Sequence, residues 1–271
     1  MSKKAVITEY TVKSSKLDKP LTIAHVSDLH ERNGDEFLEL LRQVKPDLIA
    51  VSGDTLERYH IAENTVISKS NNFLRKAIIE AAYYVNWFFV FVLGRHNRPD
   101  IKNAYRFIKG APEIAPTVMS LGNHEGKLED EDHAVIRESG AVLLDNADTQ
   151  LTVGGCKLLI GGLSSVPDTD WLRSFAEKDG FKLLLCHHPE YFDKIVPKND
   201  IDLTLSGHNH GGQIRLFGKG LFSSGSGLFP KYDGGLFENR IVVSAGCSNT
   251  VAMPRFKNPR ELVVVRLMPE S

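Results

Sequence analysis

Six stretches of this chain are apolar almost without a break, and each ends abruptly at a polar or glycine corner: LTIAHVSD (21–28), DLIAVSGD (47–54), APTVMSLGN (115–123), FKLLLCHH (181–188), IDLTLSGH (201–208) and NRIVVSAG (239–246). A strand with one solvated face alternates polar and apolar side chains, whereas runs like these read as strands buried on both faces. Such strands need covering layers on both sides of their sheet, which directs the chain towards an α/β architecture. Helical patterns lie between them, at DEFLELLRQV (35–44), NAYRFIKG (103–110), EDEDHAVIRES (129–139) and DTDWLRSFAEK (168–178), with Pro46 and Pro112 punctuating helix ends. The later part is richer in strands and glycine and ends in a last strand, ELVVVRL (261–267). No internal repeat or low-complexity segment is present, and 271 residues suffice for one large α/β domain or two small ones.

One segment breaks this rhythm. From about Tyr59 to Arg98 a long helical pattern carries an apolar end, AAYYVNWFFVFVLG (81–94). Its uninterrupted part is shorter than the roughly 20 residues a bilayer span needs, and Glu80 and Asn86 weaken that reading further. Val66, Phe73, Leu74, Ala77, Ala81, Tyr84, Val85, Phe88 and Val92 recur at roughly helical spacing, with Lys69, Arg75 and Lys76 before the aromatic end and Arg95, His96 and Arg98 after it. Two readings stand. One is a helix buried in the core or in a dimer contact. The other is an amphipathic lid at about 59–98 that lies on a membrane through 81–98 or accepts an acyl chain.

Charge gives no support for a nucleic-acid partner. The 33 Lys and Arg against 34 Asp and Glu leave a formal net charge of −1, and no basic stripe carries interleaved aromatics. The N-terminal MSKKAVITEYTVKSSK has neither an apolar core nor a small-residue cleavage site, so no signal peptide is read. Cys156, Cys186 and Cys247 are scattered, odd in number and form no CxxC; buried, reduced thiols in a cytoplasmic protein are expected.

The chemistry gathers at the carboxyl ends of five of these strands, where α/β sheets bind ligands. The corners are Asp28-Leu29-His30, Gly53-Asp54, Gly122-Asn123-His124-Glu125, His187-His188-Pro189 and Gly207-His208-Asn209-His210. Alone, each has a plain structural use: Asp28 as a helix cap, Asp54 as a turn residue, a histidine as a satisfied polar group. Five corners that all carry Asp, Asn or His form a set. Imidazole suits zinc, iron and manganese, while carboxylate and amide oxygens suit harder ions. Such a mixed set can hold two divalent ions about 3.5–4 Å apart, the spacing of two-metal phosphoester hydrolysis. One carboxylate must then bridge them.

The series DLH, GD, GNHE, HxP and GHNH, in this order, resembles the calcineurin-like metallophosphoesterases. The stretch GHNHGGQIRLFGKG is similar to a bacterial subgroup related to membrane-associated phosphodiesterases and UDP-2,3-diacylglucosamine hydrolases. The likeness runs from about Leu21 to Leu267. It implies an α/β fold, a four-layer α/β/β/α sandwich of two mixed sheets, as a single domain over 1–271 with a helical insertion at about 59–98. It implies two divalent ions, Mn2+, Fe2+/Fe3+ or Zn2+. Asp28, His30 and His210 would bind the first, Asp54 would bridge, and Asn123, His187 and His208 would complete the second. His124 would stand at the leaving-group oxygen without binding metal. His187 matches the family ligand and His188 the variable neighbour, unless the alignment is off by one. The subgroup often has Thr and Asp where Asn209 and Glu125 stand, and neither exchange removes a ligand. It often carries a membrane anchor that this sequence does not show, which makes the 59–98 helix the expected substitute.

The reaction so implied is hydrolysis of a phosphodiester, pyrophosphate or phosphomonoester by a metal-bridging hydroxide, with His124 protonating the departing group. The expected partner is a phosphoester substrate, and a lipid-linked one such as a UDP-diacylglucosamine suits the apolar helix. The expected location is cytoplasmic, peripheral at the inner face of the membrane. Gly211 and Gly212 are expected to let backbone approach the metals and substrate; Arg32 and Arg215 follow motif residues and could contact phosphate, with a solvated surface side chain the expected reading for each. The alternative is a non-catalytic scaffold on the same fold, disfavoured because every ligand position and His124 are filled.

Overall fold

The apolar runs become inner strands of two six-stranded sheets in the computed structural model, which describes residues 4–58, 84, 88, 99–223, 226–248 and 254–270. The first sheet holds β1 (Val6–Ser14), β2 (Leu21–Val26), β3 (Leu48–Ser52), β4 (Thr117–Ser120), β5 (Val142–Leu144) and β16 (Glu261–Pro269), in the order β1-β16-β2-β3-β4-β5. β2 to β5 run parallel, and β16 lies antiparallel to β2 and parallel to β1. The second sheet holds β6 (Ala147–Val153), β7 (Cys156–Leu163), β8 (Phe181–Cys186), β9 (Leu203–Ser206), β14 (Gly235–Phe237) and β15 (Ile241–Val243), in the order β14-β15-β9-β8-β7-β6. Its four central strands are parallel, with β6 and β14 antiparallel at the edges. Short strands β10 (Arg215–Leu216), β11 (Lys219–Gly220), β12 (Phe222–Ser223) and β13 (Gly227–Leu228) form two small hairpins beside them.

The period of two along each strand sorts its side chains between layers. Ile23, Leu48, Ala50 and Val118 join Leu158, Ile160, Leu183, Leu185, Leu203 and Leu205 in one core cluster shared by the two sheets. Their alternates Ala24, Ile49, Val51 and Met119 pack on helices α1 (Asp35–Val44), α2 (Ile101–Gly110) and α3 (Asp130–Ser139) through Phe37, Leu41, Phe107 and Ile136. Leu184, Cys186 and Val243 meet α4 (Thr169–Ala176) and α5 (Tyr191–Lys194) through Leu172, Phe175 and Phe192. The expected four-layer α/β/β/α sandwich is what forms. Each fully buried Leu, Ile or Phe contributes about 1.5–3 kcal/mol.

Local signals set the helix limits. Asp100 caps α2 by accepting from Lys102 N, and Asp168 caps α4 by accepting from Asp170 N and Trp171 N. Lys45 and Gly140 end α1 and α3 in left-handed conformation. Two features escape a search for apolar runs. β1 is an edge strand whose exposed and half-buried residues alternate, and β6–β7 is a hairpin around Gly154-Gly155, at φ 57° and 79°. The three cysteines are buried and free.

The helix expected at 59–98 lies outside the described residues, apart from Tyr84 and Phe88. Both have helical backbone and are exposed, at 67% and 46%. Among the described residues no helix is long and apolar enough to cross a membrane.

Candidate metal centre

The carboxyl ends of β2, β3 and β4 in one sheet and of β8 and β9 in the other converge, and the five corners meet there. Asp28, His30, Asp54, Asn123, His187 and His208 are all buried, while the His210 and His124 side chains keep 13% and 23% exposure. Asp28, His30, Asp54, His208 and His210 all take positive φ, between 47° and 72°. Non-glycine residues rarely adopt this region, and such backbone strain concentrates where function requires a particular direction.

Asp54 lies at the middle. Its Oδ2 is 3.0 Å from His187 Nε2, 3.6 Å from His30 Nε2 and 4.0 Å from His124 Nε2. Asp28 Oδ1 is 3.8 Å from His30 Nε2 and 3.5 Å from His210 Nε2. His208 Nδ1 lies 3.1 Å from Asn123 Oδ1. The potential ligand atoms of Asp28, His30 and His210 fall within 4.8 Å of one another, and so do those of Asp54, His187 and His208. His30, Asp54 and His124 make a third such group and His188, Glu190 and His208 a fourth, so His30, Asp54 and His208 each belong to two.

Two observations test whether this set fits cations. Nε2 of His30 and Nε2 of His187 are buried and make no hydrogen bond, although each faces a carboxylate oxygen. A buried polar atom without a hydrogen bond is costly. Most of the separations across the site exceed hydrogen-bond length, yet they suit ligands about a common ion at roughly 2.0–2.2 Å. The residues fit divalent ions by chemistry and by spacing.

The charges agree. Burial opposes ionisation of Asp28 and Asp54, yet the surrounding histidines hold both carboxyls well below the usual range. Burial would likewise depress His30 and His187, but the carboxylates lift them to about 9 and about 10. In the metal-free protein these imidazolium protons supply positive charge that bound ions would replace. His210 is pushed the other way, to about 3, chiefly by burial.

The adjacent pair His187 and His188 turns to different partners. His187 anchors Nδ1 on Ser52 O at 2.8 Å and turns Nε2 to Asp54. His188 instead bonds Ser165 Oγ at 2.9 Å and lies 3.6 Å from Glu190. Arg215 is not a free solvated side chain: its guanidinium donates to Asp233 O and Gly218 O. Arg32 is half-buried, with Nε and one terminal nitrogen making no hydrogen bond. Gly211 and Gly212 do not leave open room. A Cβ on Gly211 would meet Asn258 Oδ1 at 2.2 Å, and one on Gly212 would meet Gly220 Cα at 2.6 Å.

Three residues outside the expected set shape the centre. Glu57 bonds Nδ1 of both His30 and His124, at 2.7 Å each, and these partners hold its carboxyl at about 2 against the effect of burial. Glu125 accepts from the backbone N–H of Asp54, Thr55, Leu56 and Gly122 at 2.8–2.9 Å and so fixes the loop that carries Asp54. Asn209 donates to Tyr232 O and accepts from Ser223 and Ser226, pinning the His208–His210 loop. Glu57 carries no motif of its own: it lies three residues after Asp54, and only the folded loop brings the two carboxylates to one site.

The sequence profile of the calcineurin-like phosphoesterases matches residues 21–212. The uncharacterized protein YpbG of Bacillus subtilis (strain 168) is 30% identical over 206 residues, which cover 74% of this chain and 64% of that protein. The uncharacterized metallophosphoesterase YkoQ of the same organism is 27% identical over 209 residues, 72% of this chain and 63% of that one. This chain thus spans less than two thirds of the length of either relative. Among solved structures, the phosphopantetheinyl hydrolase of Mycobacterium tuberculosis aligns over 71% of this chain and 84% of that chain, at 12% identity and a TM-score of 0.40.

Proposed function

This chain belongs to the calcineurin-like phosphoesterases, and from that premise we propose that it is a phosphoester hydrolase working with two divalent ions, Mn2+, Fe2+/Fe3+ or Zn2+. Asp28, His30 and His210 would hold one ion, Asn123, His187 and His208 the other, and Asp54 would be shared between them. The observation that carries this reading is Asp54 Oδ2, buried between His187 Nε2 and His30 Nε2 at 3.0 and 3.6 Å.

When bound, the ions supply Lewis-acid polarisation of the phosphoryl oxygens and a lowered pKa for the attacking water. The chain's own residues do the rest. Asp28 and Asp54 set the charge of the site, so that ions and carboxylates together favour an anionic phosphate. Glu57 accepts the Nδ1 protons of His30 and His124 and thereby frees Nε2 of His30 to bind. His124 keeps 23% of its side chain exposed, lies at the rim of the Asp54 group, and protonates the departing oxygen from Nε2. Glu125 keeps the Asp54 loop from moving as charge shifts.

A lipid-linked phosphodiester or pyrophosphate, such as a UDP-diacylglucosamine, is the substrate class that suits the apolar stretch 81–94. Purified protein with added manganese should hydrolyse bis-p-nitrophenyl phosphate, and Asp54→Asn should abolish that turnover. An active Asp54→Asn variant would overturn the reading. Deleting residues 83–93 should harm turnover of acylated substrates more than of soluble ones; equal loss on both counts against the lipid.

A further inference from the structure

The ribbon that follows the His208–His210 loop carries three largely exposed phenylalanines. β10 and β11 form a hairpin with Phe217-Gly218 at its tip, at φ 52° and 80°. A two-residue tip with both residues at positive φ is the turn that selects Asn-Gly or Asp-Gly. A bulky side chain in the first place is strained, and Phe217 recovers nothing by packing, since it is 102% exposed. Phe229 repeats the pattern, at φ 49° and 68% exposure. Phe256 is 52% exposed and Leu216 39%.

Backbone bonds set these residues side by side. Arg215 N donates to Phe256 O at 3.0 Å, Leu221 N to Ile214 O at 2.9 Å, and Phe229 N to Leu221 O at 2.9 Å. With strands about 4.8 Å apart, Phe256 and Phe229 flank the hairpin within roughly 15 Å. The ribbon is tied to the metal-site loop, because Gly212 packs directly on Gly220.

The segments that carry the rings hold basic charge alone. Residues 207–232 and 254–260 contain no Asp or Glu. Arg215 is engaged with Asp233 and Lys231 with Asp193. Lys219 and Lys257 are exposed and form no ion pair among the described residues, and the Lys257 ammonium stands 5.7 Å from the Phe256 ring. Exposed aromatic rings beside lysines, with no acid among them, match the headgroup region of an anionic bilayer. The rings enter the acyl boundary while the ammonium groups stay at the phosphates.

We propose that this ribbon, with Phe217, Phe229 and Phe256 as its anchors, docks on an anionic membrane surface and holds the metal centre near the lipid headgroups. A lipid-linked substrate would give the surface its use, and to that extent the inference rests on the reading above. Vesicle binding is scored without substrate, so the two can fail separately.

The test is co-sedimentation of the full chain with vesicles of phosphatidylcholine alone and of phosphatidylcholine with phosphatidylglycerol. The chain should bind the phosphatidylglycerol vesicles, and less so at high salt. Phe217→Asn with Phe229→Asn should weaken that binding about tenfold or more, since each ring removes apolar surface from water on docking. Asn is a residue the Phe217 turn accepts, so the melting temperature and the turnover of a soluble diester should stay at least at the parent level. Lys219→Glu with Lys257→Glu should reduce binding to the anionic vesicles. Absence of binding by the parent chain, or equal binding by the double Asn variant, would overturn the proposal. A dimer that the Asn substitutions convert to monomer would assign the surface to a second copy of the chain instead.

Discussion

Glu57→Gln probes the least obvious part of the centre. The Glu57 carboxylate serves two imidazoles at once, with 2.7 Å bonds to Nδ1 of His30 and of His124. A glutamine keeps one oxygen and can accept from only one ring. Its NH2 faces the other Nδ1 and favours the tautomer with the proton on Nε2, the atom proposed to bind metal on His30 or to exchange a proton on His124. The loss is one hydrogen bond to a charged group, about 1.5–3 kcal/mol. That corresponds to a roughly 10- to 150-fold effect. It should be divided between a higher half-saturating manganese concentration, through His30, and a lower kcat, through His124. The assay is hydrolysis of bis-p-nitrophenyl phosphate across a manganese titration. His124→Ala, which removes only the second arm, should keep its metal while turnover falls by about 10²–10⁴. If Glu57→Gln matches the parent in both kcat and manganese dependence, the proposed role of this carboxylate is wrong.

Two further outcomes concern stability. Glu125→Gln leaves two of the four backbone N–H groups around it without an acceptor, at about 1–3 kcal/mol each; thermal melting should show a loss of several degrees, and an unchanged melting temperature would mean the loop does not depend on this carboxylate. The metal-free protein should lose stability as pH rises. His30 and His187 are lifted to about 9 and about 10 in the fold, so their contribution is fully present below the ordinary histidine range near about 6.5 and is lost as pH climbs through the raised values. Melting temperatures of chelator-treated protein from about pH 6.5 to about pH 10 should therefore fall, and a rise would contradict the charge assignment.

Much of the architecture was legible because burial writes itself into strands. β3 and β8 are wholly buried, and their residues LIAVS and FKLLLC allow little other reading. β1 was not, because an edge strand alternates and looks like any polar segment. The converging corners were legible for a related reason: Asp28, Asp54, Asn123, His187 and His208 are polar residues that interrupt buried runs. Glu57 and Glu125 were not, since their roles rest on what the folded loops place against them. Glu125 looked like a neutral exchange within a motif, yet it collects four backbone N–H groups. Gly211 and Gly212 show the converse. They were read as letting backbone approach the metals and substrate, and the close neighbours that require glycine there are Asn258 and Gly220.

The central claim is a pair of ions shared through Asp54. Metal content per chain, measured by plasma mass spectrometry on manganese-reconstituted protein and on its Asp54→Asn variant, tests it most directly. Two ions per parent chain and a clear deficit in the variant are expected, since the bridging charge is gone. One ion per parent chain, or equal content in both proteins, would contradict it.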